Sequence, residues 1–199
     1  MKHAGRIIVV IAVFIMCAGG AYAGTITGKV KAHGARNSAD AVVYISKIPG
    51  KTFPAPKEHA RITQKGLRFH PHILPILVGT TVDFLNDDDV LHNVFSPDAC
   101  AGKFNLGTWP KGQIRSYTFT KSDCQAVILC NVHPEMEAYA VVLETPYFAV
   151  TSDDGKYEIN NVPPGKYSLH IWHEKLKGKP QDVTVPEHGE VEVNFEIRR

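Results

Sequence analysis

The sequence predicts an all-β protein built from two β-sandwich units. Short stretches rich in Val, Ile, Tyr, Phe and Thr recur along the chain, separated by Gly, Pro, Asn and Asp. Within several of these stretches apolar and polar residues alternate, which is typical of strands with one buried face. No stretch after Ala23 keeps a 3.6-residue apolar period over the length of a helix. Many short strands at such spacing are typical of sandwiches and barrels.

The composition indicates a folded chain and argues against binding to nucleic acid. Hydrophobic residues make up 44% and charged residues 21% of the 199 positions, which is enough for a buried core. The 22 Lys and Arg face 20 Asp and Glu, and two of the basic residues, Lys2 and Arg6, belong to the N-terminal segment. The remaining chain is therefore balanced in charge, whereas a nucleic-acid-binding protein usually carries a basic stripe.

The N-terminal segment, residues 1–23, is predicted to be an export signal that is cleaved after Ala23. Lys2 and Arg6 precede an almost wholly apolar run over residues 7–18, and Ala21-Tyr22-Ala23 fits a small-x-small cleavage site. The mature protein is therefore expected to be periplasmic or secreted. No later run is apolar over the roughly 18 residues that a spanning helix needs, so we expect no membrane span in the mature chain.

Two alternatives to cleavage remain open at this stage. The apolar run could be retained as an anchor, although it is short for one. Cys17 could be lipidated, although Met16 stands where a small residue is needed. If the signal is removed, three cysteines stay in an oxidising compartment, Cys100, Cys124 and Cys130, and an odd number leaves one thiol to explain.

Strands can be assigned in order along the mature chain. The pattern predicts strands over residues 81–85, 114–119, 126–130, 138–143, 167–172 and 191–197. The last of these alternates most regularly, with Val191, Val193, Phe195 and Ile197 on one face. Residues 47–58 contain three prolines and one glycine, which block a central strand, so this segment is predicted to be a linker. A second junction lies near residues 145–146.

The strongest chemical signal is a set of four side chains that match a copper site. Cys130, His133 and Met136 follow one another at spacings of three, and His92 lies 38 residues before Cys130. Two imidazoles, a thiolate and a thioether form the ligand set of a blue-copper centre. Thiolate and thioether hold Cu(I), and imidazole accepts both oxidation states, so little needs to rearrange on electron transfer. Zinc is the rival metal, but it rarely recruits a thioether.

These motifs resemble the cupredoxin family of type 1 blue-copper proteins, with a ligand loop of the amicyanin and plastocyanin kind. The resemblance rests on residues 79–88, on His92-Asn93-Val94 and on Cys130-x-x-His133-x-x-Met136, and it covers about residues 58–145. It implies a Greek-key β-sandwich that holds one type 1 copper ion. It also implies that Asn93 forms a hydrogen bond across to the ligand loop, although an ordinary asparagine at a strand end is an equal alternative.

The same resemblance implies where electrons enter and leave. The loop histidine, His133, would reach the surface within an apolar ring of Pro134 and Trp109-Pro110, and redox protein partners would dock there. Two features depart from the pattern. Glu135 and Glu137 flank Met136, so an axial carboxylate is an alternative to the thioether.

The second departure is a further pair of cysteines, Cys100 and Cys124, in loop-like contexts. With Cys130 assigned to copper they form an even pair. In an oxidising compartment we expect a disulfide between them, and two free thiols or a second metal are the alternatives.

The flanking segments resemble a carboxypeptidase regulatory-like, or transthyretin-like, β-sandwich. The resemblance rests on residues 24–30, 41–45, 151–159 and 162–169, and Asp154-Gly155 and Pro164-Gly165 are turn signals, the first of them typical of a hairpin. We therefore expect a small host sandwich split into residues 24–51 and 147–199, with the cupredoxin unit of residues 52–146 inserted between its strands. Tandem domains are the alternative, but they would leave residues 24–50 as an isolated hairpin, which is marginal in water.

Other polar clusters carry weaker signals. His70 and His72 share a face if they lie in a strand, and one such pair is a weak indication of copper binding. Trp172 and His173 end a strand and could pack on the inserted unit, meet a partner or stay exposed. Residues 87–89 are three aspartates, interpreted as a solvated turn.

Together these observations predict a periplasmic type 1 copper protein that carries single electrons between redox partners and is not an enzyme. The alternatives are a copper-binding or copper-handling protein without a role in electron transfer, an accessory subunit of a copper oxidoreductase, and a purely adhesive protein. Copper-transfer proteins favour open sites rich in Met and His, whereas only 3 methionines occur in this chain.

Overall fold

The computed structural model describes residues 23–199, which form seventeen β-strands and one short 3-10 turn. The strands are β1 (Gly24–Ala32), β2 (Val42–Ile45), β3 (Ala60–Gln64), β4 (Phe69–His70), β5 (Ile73–Leu77), β6 (Thr81–Asn86), β7 (His92–Phe95), β8 (Asn105–Trp109), β9 (Ile114–Thr118), β10 (Cys124–Leu129), β11 (Glu137–Leu143), β12 (Phe148–Val150), β13 (Lys156–Val162), β14 (Gly165–Trp172), β15 (Gln181–Val185), β16 (Glu190–Glu192) and β17 (Phe195–Ile197). The 3-10 turn spans Ala99–Ala101. The all-β prediction is confirmed.

The predicted export signal lies outside the described residues, apart from Ala23. Within residues 23–199 no helix has the length and hydropathy needed to cross a membrane.

The middle of the chain forms a sandwich of two sheets. One sheet has the order β4-β3-β6-β9, the other β5-β11-β10-β7-β8, and one apolar core lies between them. Alternation along the strands builds that core: in β6 Val82, Phe84 and Asn86 are fully buried, whereas the residues between them are partly exposed. The strands predicted over 81–85, 114–119, 126–130 and 138–143 correspond to β6, β9, β10 and β11.

The two ends of the chain form a second sandwich with a core of its own. Its sheets have the orders β13-β1-β16, with β17 also paired to β1, and β12-β2-β14-β15. Strand β2 pairs antiparallel with β12, so Tyr44 lies opposite Phe148. The Thr145 hydroxyl donates to the carbonyl of Ile45, and the amide of Ile45 donates to the carbonyl of Tyr147. The segments on either side of residues 52–146 are therefore neighbours in one sheet.

The two sandwiches share a continuous apolar interface, because strand β11 is buried on both faces. Ala138, Ala140 and Val142 face the core of the middle sandwich. Val141 and Leu143 face the other way, and they form a separate buried cluster with Val42 of β2 and Ile73 of β5.

Trp172 of the terminal sandwich completes this interface. Its indole packs on Tyr139 of β11 with the ring centroids 5.3 Å apart. Nearby, His72 Nε2 lies 3.3 Å from Glu174 Oε2, which adds a polar contact between the two units. Of the three interpretations that the sequence left open for this strand end, packing on the middle unit is the one observed for Trp172.

The last strand of the terminal sandwich differs from the sequence prediction. The strand predicted over 191–197 is split into β16 and β17, because the backbone amide of Val193 donates to the carbonyl of Thr27 and Asn194 Oδ1 accepts from the amide of Lys29. The crossing requires a glycine on β1, since a Cβ on Gly28 would lie 1.8 Å from the Val193 carbonyl oxygen.

The turn signals mark reversals of the chain but do not form hairpins. Asp154-Gly155 leads from β12 into β13, and Pro164-Gly165 leads from β13 into β14, and each of these turns joins strands of opposite sheets. Gly155 adopts a positive φ of 83° and approaches the carbonyl of Val30, so long-range pairing with β1 overrides the local hairpin.

The predicted disulfide is confirmed. Cys100 and Cys124 are bonded, which ties the 3-10 turn to the start of β10, and Cys130 is the one free cysteine among the described residues. The predicted linker, residues 47–58, contains no strand, as its prolines require. The division into an inserted unit of 52–146 and a split host remains a prediction, and so does the transthyretin-like character of the host.

A deletion tests the proposed division. Removing residues 52–146 and joining the ends by a short Gly-Ser turn should leave a folded β-sandwich, because β2 and β12 already pair as a hairpin would. We expect β-type circular dichroism and cooperative unfolding, together with dye binding to the uncovered face of Val42, Phe148 and Trp172. An unfolded product would contradict the split-host arrangement, and a Trp172→Lys version of the deletion separates loss of fold from aggregation through that face.

Candidate metal centre

Three of the predicted ligands converge at one end of the middle sandwich. His92 begins β7, Cys130 directly follows β10, and His133 lies in the short segment between β10 and β11. Their ligating atoms all lie within 4.8 Å of one another. His92 Nδ1 is 3.1 Å from His133 Nδ1 and 3.9 Å from Cys130 Sγ. His92 and Cys130 are buried, whereas His133 is partly exposed.

The His92 ring is held in one orientation by Asp88. Its Nε2 lies 2.9 Å from Asp88 Oδ2, a contact in which the ring nitrogen donates to the carboxylate. In the neutral ring this leaves a lone pair on Nδ1, and that atom faces Cys130 and His133. A carboxylate that fixes the tautomer of a histidine in this way is a recurrent support for metal ligands.

Asp88 is itself fixed from a neighbouring hairpin. The backbone amides of Gly66 and Leu67 donate to its two oxygens at 2.7 and 3.0 Å. Burial opposes ionisation of this carboxyl, but the amides of Leu67 and Gly66 and the His92 ring outweigh it, and together they lower the pKa of Asp88 to about 2. The carboxylate is therefore an anion at neutral pH.

Asn93 connects the other ligands to the sheet. Its backbone amide donates to Cys130 Sγ at 3.5 Å, which ties the sulfur to the start of β7. Its side-chain oxygen accepts from the amide of Asn131 at 3.2 Å, and its side-chain nitrogen donates to Asn105 and Gly107 of β8. The hydrogen bond across to the ligand loop is therefore present.

Met136 closes the loop and is buried. Its backbone amide donates to the carbonyl of His133 at 3.0 Å, which folds the loop into a turn. The side chain is 1% exposed, whereas Glu135 and Glu137 are both exposed, and Glu137 accepts a hydrogen bond from the Tyr139 hydroxyl. Burial thus separates the thioether from the two flanking carboxylates.

The donor set fits a single metal ion. Donors that each lie about 2.0 to 2.3 Å from one metal are separated by roughly 3 to 4 Å, as His92 is from His133 and from Cys130. Two imidazoles, a thiolate and a buried thioether suit copper better than zinc. His92, Cys130, His133 and Met136 could therefore hold copper.

The surface around His133 is apolar, but it differs from the predicted ring. Val90, Leu91 and Val132 are each 45 to 53% exposed, and Pro134 is exposed as well. We call these four residues the ligand-end patch. Trp109 does not belong to it, because its side chain is fully buried in the core, where an indole of this size fills the space between the sheets.

The histidines at 70 and 72 contact different groups. His70 Nε2 contacts the carbonyl of Lys65, whereas His72 contacts the carbonyl of Glu137 and the Glu174 carboxylate. Among residues 23–199 the only group of three or more His, Cys, Asp or Glu side chains suited to a metal is His92, Cys130 and His133. The weak indication of copper binding at this pair is not supported.

Asp88 is the site residue that sequence reasoning missed. The three aspartates of 87–89 were interpreted as a solvated turn, and that is wrong for the middle one, whose carboxylate is 16% exposed and bonded to His92. The signal was a carboxylate four residues before a predicted ligand. Alternation could not reveal it, because the turn that brings Asp88 back to His92 depends on the hairpin of Gly66 and Leu67.

Known proteins are similar to parts of the chain. The family model described as polysaccharide lyase family 4, domain II, matches residues 138–193. No curated protein matches.

Several solved structures resemble about half of the chain. A reduced variant of amicyanin is 24% identical, with 49% of this chain and 97% of amicyanin covered and a TM-score of 0.41. A purple cupredoxin from Nitrosopumilus maritimus is 28% identical, with 42% and 98% covered and a TM-score of 0.38. A copper-containing nitrite reductase from Thermus scotoductus is 27% identical, with 50% and 25% covered and a TM-score of 0.40.

Replacing Asp88 with Asn should destabilise the metal-free protein. An amide has one acceptor oxygen, so its nitrogen would face at least one of the three donors that now bind the carboxylate. We expect a loss of roughly 1–3 kcal/mol in the free energy of unfolding at pH 7, measured with denaturant. Because the folded-state pKa of Asp88 lies below its usual value, its contribution is present above about pH 4 and lost towards pH 2, so the two proteins should converge there.

Asp89→Asn is the matched control, since Asp89 is exposed and pairs with Lys111 at the surface. It should change the stability by less than about 0.5 kcal/mol. Equal effects of the two substitutions would mean that Asp88 does not support the His92 ring.

Proposed function

We propose that the protein is a periplasmic type 1 copper protein that carries single electrons between redox partners. The observation that supports this most directly is the convergence of His92 Nδ1, His133 Nδ1 and Cys130 Sγ in the buried end of a β-sandwich. Bound copper supplies a one-electron couple, and the four residues of the donor set would hold it as one type 1 ion.

The contacts of the ligands support electron transfer over copper delivery. His92 is oriented by Asp88, Cys130 accepts from the Asn93 amide, and Asn93 ties the ligand loop to β8. None of these contacts requires the metal, so the donors are preorganised and little rearrangement accompanies a change of oxidation state. A protein that hands copper on needs an open, exchangeable site, whereas His92, Cys130 and Met136 are buried.

The location is proposed from two features. The N-terminal segment fits an export signal, and the chain carries the Cys100–Cys124 disulfide, which persists in an oxidising compartment. Both fit the periplasm.

The ligand-end patch is the proposed docking surface for the redox partner. His133 contacts the metal site through Nδ1 and lies among Val90, Leu91, Val132 and Pro134, so a partner that covers these residues comes close to a ligand. An apolar contact of this kind suits transient association with another redox protein, because it excludes water without fixing one orientation.

An accessory role in a copper oxidoreductase is the second candidate. The observation that favours it is the second sandwich, which packs on the copper unit through the cluster around β11. A separate carrier has no evident need for such an attachment. In either role the copper centre would pass single electrons.

Loading the metal-free protein with Cu(II) tests the proposal. We expect an intense visible band from thiolate-to-copper charge transfer, and Cys130→Ser should abolish it, because a hydroxyl does not form that covalent bond. His70→Ala is the control outside the site and should keep the band. A colourless Cu(II) adduct of the unaltered protein would refute the type 1 assignment.

Electron self-exchange tests the docking surface. Mixed Cu(I) and Cu(II) protein should exchange electrons through contact of two ligand-end patches, which NMR line broadening can measure. Val132→Glu should slow the exchange by roughly tenfold or more at low salt, because two like charges then meet at the contact. Val150→Glu, at an exposed valine of β12, is the matched control and should leave the rate unchanged. Equal slowing by both variants would place the contact elsewhere.

A further inference from the structure

One buried side chain at the ligand end of the middle sandwich has no hydrogen-bond partner in the protein. Gln64 is fully buried, and neither its amide oxygen nor its amide nitrogen has a hydrogen-bond partner. Among residues 23–199, Trp109 Nε1 is the other buried side-chain nitrogen or oxygen in that condition. Buried polar groups are nearly always paired, so an amide of this kind needs a partner that the protein does not supply.

The sheet register places Gln64 at the ligand end of the sandwich. It is the last residue of β3, and it lies opposite Phe69 on β4 and Asn86 on β6. Directly opposed residues share a face of the sheet, and all three are buried. Phe69 lines a cleft together with Met136. Asn86 donates to the carbonyl of Val90, in the segment that leads to His92.

The two side chains that lie opposite Gln64 in the sheet do not pair with its amide. The side-chain nitrogen of Asn86 donates to the carbonyls of Val90 and Trp109, and its oxygen accepts from the amide of Asp88. Phe69 offers no hydrogen-bonding group. The carbonyl of Gln64 itself accepts from the amide of Asp87, so the backbone is already paired. The copper donor set lies at the same end of the sandwich, where His92 begins β7 and Met136 lines a cleft with Phe69.

We propose that the side-chain oxygen of Gln64 is an axial donor to the copper ion, in addition to Met136. This inference rests on the proposed function. An amide oxygen can fill the weak axial position of a His2Cys copper centre. Oxygen is a harder donor than a thioether and favours Cu(II), so Gln64 lowers the reduction potential relative to a centre with Met136 alone.

A thermodynamic cycle distinguishes the proposed copper ligand from the main alternative, in which Gln64 binds a buried water. Gln64→Leu removes an unpaired amide and should raise the Tm of the metal-free protein. In the Cu(II)-loaded protein the same change also removes a copper ligand, so the gain in Tm should shrink or reverse. A water bound to Gln64 would be lost equally in both states and would give the same change in Tm with and without copper.

Spectroscopy and potential give the second measurement. Gln64→Leu should raise the reduction potential and shift the ratio of the two visible charge-transfer bands towards the blue type, with a smaller rhombic splitting in the electron paramagnetic resonance spectrum. Gln64→Met, which keeps the length of the side chain, covers the case in which the leucine variant does not fold, and it should also raise the potential. Ile62→Val, two residues earlier on the same face of β3, is the packing control and should leave both readouts unchanged.

Three results decide the matter. Coupling between Gln64 and copper in the Tm cycle, together with a raised potential, supports the proposal. Equal Tm changes with and without copper and an unchanged potential, in a protein that still shows the charge-transfer band, overturn this inference and leave the proposed function standing. A wild-type protein without that band overturns the proposed function and this inference with it.

Discussion

Burial of strand β11 on both of its faces is the constraint on which the rest of the molecule depends. One face, with Ala138, Ala140 and Val142, closes the core of the middle sandwich, and the other, with Val141 and Leu143, joins it to the terminal sandwich. The strand begins directly after Met136, so the ligand loop ends on a fixed strand. A strand covered on two sides cannot shift its register without moving apolar residues into the wrong core. The double packing therefore fixes the position of the C-terminal end of the ligand loop.

The remaining ligands are fixed by polar contacts, each from a different part of the chain. Asp88 holds the His92 ring and is itself held by the hairpin of Gly66 and Leu67. Asn93 links Cys130 and the ligand loop to β8. Because four segments contribute these contacts, the donor positions are set before any metal arrives. Such preorganisation keeps the rearrangement between oxidation states small.

Particular residues show which parts of the fold and of the metal centre the sequence could predict. Strands β6, β9, β10 and β11 followed from alternation, and the spacing of Cys130, His133 and Met136 identified the loop, because both signals are local. Asp88 was missed, Trp109 was misplaced on the surface, and Asp154-Gly155 was expected to form a hairpin. Each of these errors concerns a residue whose environment depends on a distant segment: Gly66 for Asp88, the opposite sheet for Trp109, and β1 for Gly155. Patterns along the chain report which face of a strand is buried, but not which strand lies beside it.

Buried polar side chains are concentrated at the ligand end of the middle sandwich, where each carries a cost in free energy. Eight buried residues with polar side chains occur in the described chain, and four of them, Gln64, Asn86, His92 and Asn93, lie at the ligand end of the middle sandwich. Each costs desolvation, and apolar side chains of similar size would pack there without that cost. Asn86 and Asn93 recover it through hydrogen bonds that position the ligand-bearing segments, and His92 does so partly through Asp88. Gln64 alone among the four recovers nothing within the protein. Apart from Trp109 Nε1, the Gln64 amide is thus the one unpaired buried side chain among the described residues, and it lies at the ligand end, where a bound ion could pair it. A sequence selected for stability alone would have placed an aliphatic residue there.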